Sequence, residues 1–219
     1  MGAMKVSMWA LIVAAFVIAF YFYPLVPDKV ASHWGAAGEV NGYSDKLVGL
    51  FLLPCIMLFI VVLFWVIPKI DPLRFNYPKF REFYDRFLAV LIAFMFYLHL
   101  LTVYWNTGNT FNMSQALVPA FAVLFFYSGT LIGAAKRNWF VGIRTPWTLS
   151  SESVWKKTHD VGGRLFKACG VIALLGLIFP EEAIWFMIVP VLASSAYTFI
   201  YSYLEYRKEN GGGKGESGK

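Results

Sequence analysis

The sequence is short of charge, of cysteine and of every residue pattern that marks a common catalytic site. Of its 219 residues, 15% are charged and two are cysteines, whereas soluble domains carry about 25% charged residues. Two cysteines, each within an apolar run, are too few for a disulfide framework or a cysteine-rich metal site. HExxH, CxxC, GxSxG and phosphate-binding glycine loops are all missing. We therefore expect neither an enzyme nor a bound cofactor or metal.

Apolar residues are what the sequence has in excess. They make up 58% of the chain, and the mean hydropathy is +0.59. The excess is concentrated in long runs with almost no charge, which is typical of membrane-spanning helices of about 20 residues. Six segments reach or approach that length: 6–26, 47–67, 87–105, 115–135, 165–180 and 183–204.

The fifth segment, 165–180, is the shortest and contains Lys167. Sixteen helical residues extend only about 24 Å, which is less than the hydrocarbon thickness. We expect this helix to enter the membrane from an amphipathic cytoplasmic stretch, with Arg164 and Lys167 extending their charges to the headgroups.

Lysine and arginine set the expected orientation. The N-terminus, the second and fourth loops and the C-terminal tail together hold 16 of them, and the loops on the other side hold two. Because positive charge collects in cytoplasmic loops, both termini are expected inside the cell and the chain in the plasma membrane. The net charge of +6 follows this topology, so no nucleic-acid partner is expected. Membrane lipids are expected partners.

The predicted fold is all-α: a polytopic membrane protein of six transmembrane helices, with a folded extracellular loop and a cytoplasmic interfacial helix. Residues 1–204 are expected to form one membrane domain. Residues 205–219 contain no apolar anchor and are rich in glycine, which predicts a disordered cytoplasmic tail.

The extracellular loop 27–46 is longer than a simple connection requires. Gly35, Gly38 and the pair Asn41-Gly42 are expected to supply turns with positive φ. Such a compact loop suits either a recognition surface for an external ligand or a cap that closes the helix bundle, and both interpretations stay open. The candidate ligand-binding residues are His33, Trp34, Gly38, Gly42 and Tyr43.

The cytoplasmic loop 136–164 alternates tryptophans with basic residues. Ser150 is a plausible N-cap, and an apolar stripe of helical period follows it. This composition predicts an interfacial helix that attracts anionic lipid or an acidic partner, although positive-inside topology with an aromatic belt also explains it. The candidate partner- or lipid-binding residues are Arg137, Asn138, Trp139, Gly142, Arg144, Thr145, Pro146, Trp147, Trp155, Thr158 and His159.

His99 is the ionisable residue predicted to lie in mid-membrane, where such groups are often functional. A structural role is favoured, since Tyr97, Thr102 or a backbone carbonyl could satisfy a neutral imidazole. His33 and His159 are expected outside and inside the cell, so the three histidines cannot meet at one metal. His159 is expected on a helix surface or at a helix cap.

Both loops carry recognisable motifs. The outer loop resembles a small membrane domain of unknown function, from which it departs at Ala31 and Asn41, where members often have proline and aspartate. Its matching residues are Pro27-Asp28, Val30, His33-Trp34, Gly38, Gly42-Tyr43 and Lys46. The inner loop is similar to the signature of the SdpI family. That signature is carried by Arg137-Asn138, Gly142-Ile143-Arg144-Thr145-Pro146-Trp147-Thr148, Trp155, Thr158-His159 and Gly163.

The resemblance implies an immunity protein that protects a bacterium from a secreted antimicrobial peptide. It also implies capture of a transcriptional repressor at the membrane, so that the peptide outside and the repressor inside are the expected partners. Two alternatives remain open. One is a small transporter or channel, although the spans hold little of the charge that ion-coupled carriers use. The other is a scaffold with no ligand of its own.

Overall fold

The long uncharged runs are helical, because a backbone in hydrocarbon must satisfy its hydrogen bonds within its own segment. The computed structural model describes residues 2–211. These residues form seven α-helices and one β-hairpin, together with 3₁₀ turns at Arg74–Lys79 and Leu174–Leu177. The elements are α1 (Gly2–Phe22), β1 (Lys29–Trp34), β2 (Val40–Asp45), α2 (Lys46–Ile70), α3 (Arg81–Asn106), α4 (Met113–Ala134), α5 (Pro146–Ser150), α6 (Glu152–Ala173) and α7 (Ala183–Gly211).

Five of the described helices are long and apolar enough to cross a membrane: α1, α2, α3, α4 and α7. A mostly helical, polytopic membrane protein is thereby confirmed. The predicted segment 165–180 instead falls in the second part of α6 and the 3₁₀ turn after it. The first part of α6 contains Lys156, Lys157, Asp160 and Arg164, which lower the hydropathy of that helix as a whole.

The N-terminal helices α1, α2 and α3 share one apolar core. Met8 and Ile12 of α1 pack with Met57 of α2 and with Ile92 and Met95 of α3. Large apolar side chains on the opposite faces, such as Val13 and Phe59, are exposed. Exposed apolar residues at these positions suit contact with lipid tails.

The C-terminal half depends on a close contact between α4 and α6, which run antiparallel. A Cβ added at Gly163 would lie 2.8 Å from the carbonyl oxygen of Gly129, and one added at Gly170 would lie 2.5 Å from that of Ala122. Only glycine permits backbones to approach so closely. Small residues at the contact are the usual means by which membrane helices pack.

The amphipathic stretch predicted on the cytoplasmic side is helical and continues directly into the fifth apolar segment, as expected. Glu152–Ala173 form one unbroken helix, so the amphipathic stretch and the start of the fifth apolar segment belong to the same element. The N-cap is Ser151, whose Oγ accepts from the amide of Val154 at 3.2 Å, rather than Ser150. Ser150 is already the last residue of the short helix α5, which starts at Pro146.

The predicted start of the disordered tail is also wrong, because α7 continues to Gly211. Glu205 is buried at this end of the helix. Its carboxylate accepts from Lys157 of α6 at 2.9 Å and from Lys208 at 2.7 Å. The pair with Lys157 ties the end of α7 to α6, and the pair with Lys208 lies within α7. The remainder of the predicted tail, residues 212–219, lies outside the described residues.

Substituting Gly163 with alanine tests the α4–α6 contact. The new methyl group would press on the backbone of α4, and such overpacking costs about 1–3 kcal/mol. We expect a lower melting temperature in detergent for Gly163→Ala than for the wild type. Gly211→Ala is the control, because an added Cβ there meets no described atom within 4 Å. Equal melting temperatures for all three proteins would contradict the close contact.

Candidate functional site

The outer loop is a short antiparallel hairpin. Lys29 pairs with Asp45 at its open end, and the ladder is irregular near His33. Of the glycines expected to have positive φ, Gly38 does, at +84°, and it forms the turn. The expectation was wrong for Gly35, Asn41 and Gly42, none of which has a positive φ. Asn41 and Gly42 lie within β2, where extended backbone needs none.

Polar side chains from the α3–α4 connection hold the hairpin in place. Asn106 bonds to both backbone groups of Ala31: its Oδ1 accepts from the amide at 2.7 Å and its Nδ2 donates to the carbonyl at 3.0 Å. Asn112 donates to the carbonyl of Ala37 at 3.0 Å, and Ser114 donates to that of Ala36 at 3.1 Å. Because an isolated two-stranded hairpin is marginally stable, these bonds supply the support it needs.

A cavity of about 440 Å³ lies beneath the hairpin. Its walls come from α2, α3, α4 and α7 and are mainly apolar, as at Leu52, Phe121 and Met187. Two polar groups of the hairpin lie at this cavity, Trp34 Nε1 and Ser44 Oγ, and neither has a hydrogen-bond partner among the described residues. Buried polar groups are normally bonded, so a ligand that satisfies them would gain free energy.

The predicted outer residues divide by position. Trp34 and His33 line the cavity, and the Trp34 ring meets Trp105 edge to face at 6.0 Å. Exposed His33 pairs its Nδ1 with Asn41 Oδ1. Gly38 is buried and Tyr43 is exposed away from the cavity lining.

Sequence reasoning missed Ser44, Asn106 and Ser114 at this site. Alternation along β2 places Ser44 on the face opposite its neighbour Tyr43, and that pattern was the available signal. For Asn106 and Ser114 the sequence offers no signal, because their partners lie more than 70 residues away.

Asn138 organises the inner loop. It is fully buried, and its Oδ1 accepts from the amides of Phe140 and Val141 at 2.9 and 2.6 Å. Its Nδ2 donates to the carbonyls of Lys136 and Val141 at 2.8 and 2.9 Å. One side chain therefore satisfies four backbone groups and fixes the shape of the loop.

Asp71, which follows α2, anchors that loop to the N-terminal half. Its Oδ2 accepts from the amide of Trp139 at 2.9 Å and from the Tyr77 hydroxyl at 3.1 Å. Burial, and secondarily the charge of Asp71, raise the pKa of Tyr77 well above its usual range, so the hydroxyl stays protonated as a donor. Sequence reasoning missed Asp71, because its position after a span resembles an ordinary helix end.

His159 holds the other end of the loop. Its Nε2 accepts from the amide of Ile143 at 3.0 Å, and its Nδ1 donates to the carbonyl of Trp155 at 2.8 Å. Its ring stacks on that of Trp155 at 3.9 Å. Gly142, at φ +102°, passes so close that a Cβ would lie 2.4 Å from Nε2. The expected helix-surface or capping histidine is thus buried instead.

Burial lowers the pKa of His159 to about 4, although its bond to the Trp155 carbonyl and the charge of Asp160 act in the opposite direction. The residue lies before the apolar segment 165–180. A neutral imidazole is also what its bonds require, because protonated Nε2 could not accept from the amide of Ile143.

Thr145 and Trp147 join the loop to α7. Thr145 caps α5, accepting from the amide of Thr148 at 3.2 Å, and bonds to Ser202 of α7 at 3.0 Å. The Trp147 ring packs edge to face on Phe199 at 5.2 Å. The short helix that begins at Pro146 is therefore fastened to α7 at both its cap and its face.

Buried and exposed residues divide the predicted inner site. Asn138, Thr145, Trp155, Thr158 and His159 are buried and form the interior of the loop. In this structure their side chains are not accessible to a partner, and their role in binding one stays a prediction. Arg137 and Trp147 are half-buried. The exposed members are Trp139, Arg144 and Pro146, and Arg144 donates to the Trp139 carbonyl at 2.8 Å.

His99 is fully buried between α3 and α1. Its Nε2 lies 3.1 Å from the carbonyl oxygen of Ala15. Of the partners expected from the sequence, the backbone carbonyl is confirmed. The described residues contain no cluster of three His, Cys, Asp or Glu side chains that could hold a metal ion.

Known proteins match the chain at both loops. A domain of unknown function, DUF1648, matches residues 10–58, which include the hairpin. The SdpI/YfhL protein family matches residues 134–202, which include the inner loop. Over residues 134–202 the chain is therefore similar to the SdpI/YfhL family. This similarity, together with five described helices of spanning length, identifies a multi-pass protein of the plasma membrane.

Two relatives come from Bacillus subtilis (strain 168). The immunity protein SdpI is 26% identical over 200 residues, which cover 90% of this chain and 93% of that protein. The uncharacterized membrane protein YbgB is 33% identical over 58 residues, which cover 26% of this chain and 60% of that protein. No solved structure matches the chain.

The buried neutral state of His159 predicts a pH-dependent stability. Between pH 6.5 and about 4 the unfolded chain binds a proton at His159 that the folded chain does not. The contribution of His159 to the free energy of unfolding is therefore fully present above pH 6.5 and decreases as the pH falls. The loss reaches about 3 kcal/mol. Melting temperatures of the wild type and His159→Gln between pH 7.5 and 4 measure it. We expect the melting temperature of the wild type to exceed that of His159→Gln by less as the pH falls. A difference between the two that does not change with pH would contradict the assignment of a neutral His159.

Proposed function

We propose that this protein confers immunity against a secreted antimicrobial peptide by binding it at the outer face of the plasma membrane. The observation that carries this proposal is the cavity roofed by the hairpin, with unpartnered Trp34 Nε1 and Ser44 Oγ. Its similarity to the immunity protein SdpI extends over 90% of the chain, which supports the same role.

The proposal requires the hairpin to face outward, and six spans with both termini inside provide this. We propose the part of α6 from Gly163 onward, with its 3₁₀ extension, as the sixth span. It runs beside α4 from Gly163, next to Gly129, to Gly176, next to Val118, and therefore covers most of the height of a spanning helix. The distribution of 16 Lys and Arg against two sets the orientation. A reporter joined after Gly211 that functions outside the cell would overturn this topology.

Chemistry at the cavity defines the part of the peptide that would bind. Walls such as Leu52, Phe121 and Met187 suit an apolar side chain, and removing it from water supplies the affinity. The Trp34 indole N–H is a donor only, so it suits a backbone carbonyl of the same peptide. Exposed His33 and Tyr43 are proposed to contact the remainder at the rim.

Repressor capture at the inner face is the second part of the proposal. Trp139, Phe140 and Arg144 form an exposed patch of two aromatic rings and a cation on the rigid inner loop. Aromatic and arginine side chains often dominate protein interfaces.

We propose α4 as the link between the outer and inner faces. Ser114, near its first residue, holds the hairpin, and Ala135, just past its last residue, accepts from Trp155 Nε1 at 2.9 Å.

Replacing Trp34 with phenylalanine tests the outer site. The change removes the indole donor and keeps a ring to pack on Trp105. Losing one hydrogen bond of about 1–1.5 kcal/mol weakens binding about tenfold. We expect a sensitive bacterium expressing Trp34→Phe to survive about tenfold less peptide than one expressing the wild type at equal membrane levels.

Trp185→Phe is the matched control, since this exposed tryptophan of α7 does not line the cavity. It should protect like the wild type. Full protection by Trp34→Phe would exclude the cavity as the binding site. No protection by a correctly inserted wild type would reject immunity and favour a transporter, which a flux measurement in liposomes would identify, or a scaffold without a ligand.

Substituting Arg144 with alanine tests the inner site. In cells challenged with the peptide, we expect the membrane-bound fraction of the proposed repressor partner to fall at least about tenfold, as is common for an arginine at an interface centre. Arg164→Ala is the control, because Arg164 is exposed on α6 outside the patch. Unchanged capture by Arg144→Ala, with immunity intact, would remove the regulatory part of the proposal alone.

A further inference from the structure

A second cavity, of about 320 Å³, lies between the ends of α1, α2 and α3 that carry Lys5, Trp65 and Arg81. It is separate from both loops discussed above. Its volume falls within the range of small-molecule sites, about 300–1,000 Å³. Apolar walls and charged residues meet here, which is unusual in a chain with so few charges.

Asp85 is the decisive residue of this cavity. It is 5% exposed and lies one turn inside α3. Its Oδ1 lies 2.8 Å from Arg81 Nε in an ion pair. Its Oδ2 is buried and has no hydrogen-bond partner among the described residues. A buried carboxylate oxygen without a donor is expensive, so the cavity is expected to receive a ligand that donates a hydrogen bond.

The other residues define the rest of that ligand. Lys5 and Arg81 bring positive charge to the same cavity, while Met8, Val62 and Leu88 supply apolar walls. A fitting ligand therefore combines an anionic group, a nearby N–H donor and an apolar tail. The ammonium of such a ligand would bond to Asp85, and its anionic group would face the two cations.

We propose that this cavity binds the headgroup of an aminophospholipid, phosphatidylethanolamine, from the inner leaflet. Its phosphate would face Lys5 and Arg81, its ammonium would donate to Asp85 Oδ2, and its glycerol and acyl chains would follow the apolar walls. The place of the cavity suits a headgroup, because Trp65 lies under the ammonium of Lys69 at 2.9 Å, an arrangement expected at a membrane boundary. Assignment to the inner leaflet rests on the proposed orientation.

Comparison of lipids that differ only in the headgroup tests the proposal. The full-length protein is purified in detergent and its melting temperature is measured with equal mole fractions of dioleoyl phosphatidylethanolamine, phosphatidylcholine or phosphatidylglycerol. The quaternary ammonium of phosphatidylcholine has no N–H to donate to Asp85. We expect phosphatidylethanolamine to raise the melting temperature by about 3–6 °C more than the other two lipids, equivalent to about tenfold tighter binding.

Asp85→Asn keeps the size of the side chain and removes its charge, so its preference for phosphatidylethanolamine should disappear. Glu82→Gln is the control, because Glu82 is an exposed acid one turn away that pairs with Arg86, and its preference should persist. Lys5→Gln should weaken stabilisation by all three phospholipids.

Three outcomes would overturn the proposal. These are equal stabilisation of the wild type by phosphatidylethanolamine and phosphatidylcholine, equal stabilisation by phosphatidylglycerol, and an unchanged preference in Asp85→Asn. If Asp85→Asn does not fold, the wild-type comparison still decides. The lipid test does not measure survival against the peptide. The lipid proposal can therefore fail while the immunity proposal holds, and the reverse.

Discussion

The backbone contact of α4 with α6 is the constraint on which both loop sites depend. At Gly129 and Gly163 the two helices come closer than any side chain would permit, and this sets the position of His159 relative to the end of α4. His159 in turn holds the amide of Ile143, which fixes the inner loop. At its other end, α4 begins with Ser114, which holds the hairpin. Loss of the glycine contact would therefore disturb both faces of the protein.

Polar residues in this protein serve mainly to fold its loops at the membrane surface. Asn138 bonds to four backbone groups, Asp71 accepts from the amides of Leu73 and Trp139, and Asn106 bonds to both backbone groups of Ala31 in the hairpin. In a chain that is 58% hydrophobic, the helices obtain their interior from abundant apolar side chains. Loop backbone near the membrane needs individual partners, and the conspicuous motif residues supply many of them.

The sequence predicted the helices well because hydropathy over 20 residues is a strong, local signal. Three of the five spanning helices contain the predicted segments 47–67, 87–105 and 183–204, and the segment 115–135 exceeds α4 by one residue, the C-cap Ala135. The predicted segment 6–26 ends too late, since α1 ends at Phe22. Local composition also predicted the helix through Thr158 and its continuation into the apolar segment, but it placed the N-cap at Ser150 instead of Ser151.

The sites were harder to predict, because motif residues were interpreted as contacts to a partner. Their residue types were informative, but the same asparagine, threonine or histidine can bind a partner or a loop backbone. Asn138 and His159 do the second, which depends on contacts that no local pattern specifies. Asp85 was overlooked for a similar reason: one carboxylate beside Arg81 and Arg86 resembles an exposed helix start, and only the fold buries it.

Labelling of a cysteine placed at Ser32 tests the central claim most directly. Ser32 is exposed at the rim of the outer cavity, and Cys55 and Cys169 would be replaced by serine and alanine. In intact cells, a membrane-impermeant maleimide should label Ser32→Cys, and saturating antimicrobial peptide should block the labelling. Labelling only in inverted vesicles would contradict the orientation, and labelling that the peptide does not change would contradict the binding site.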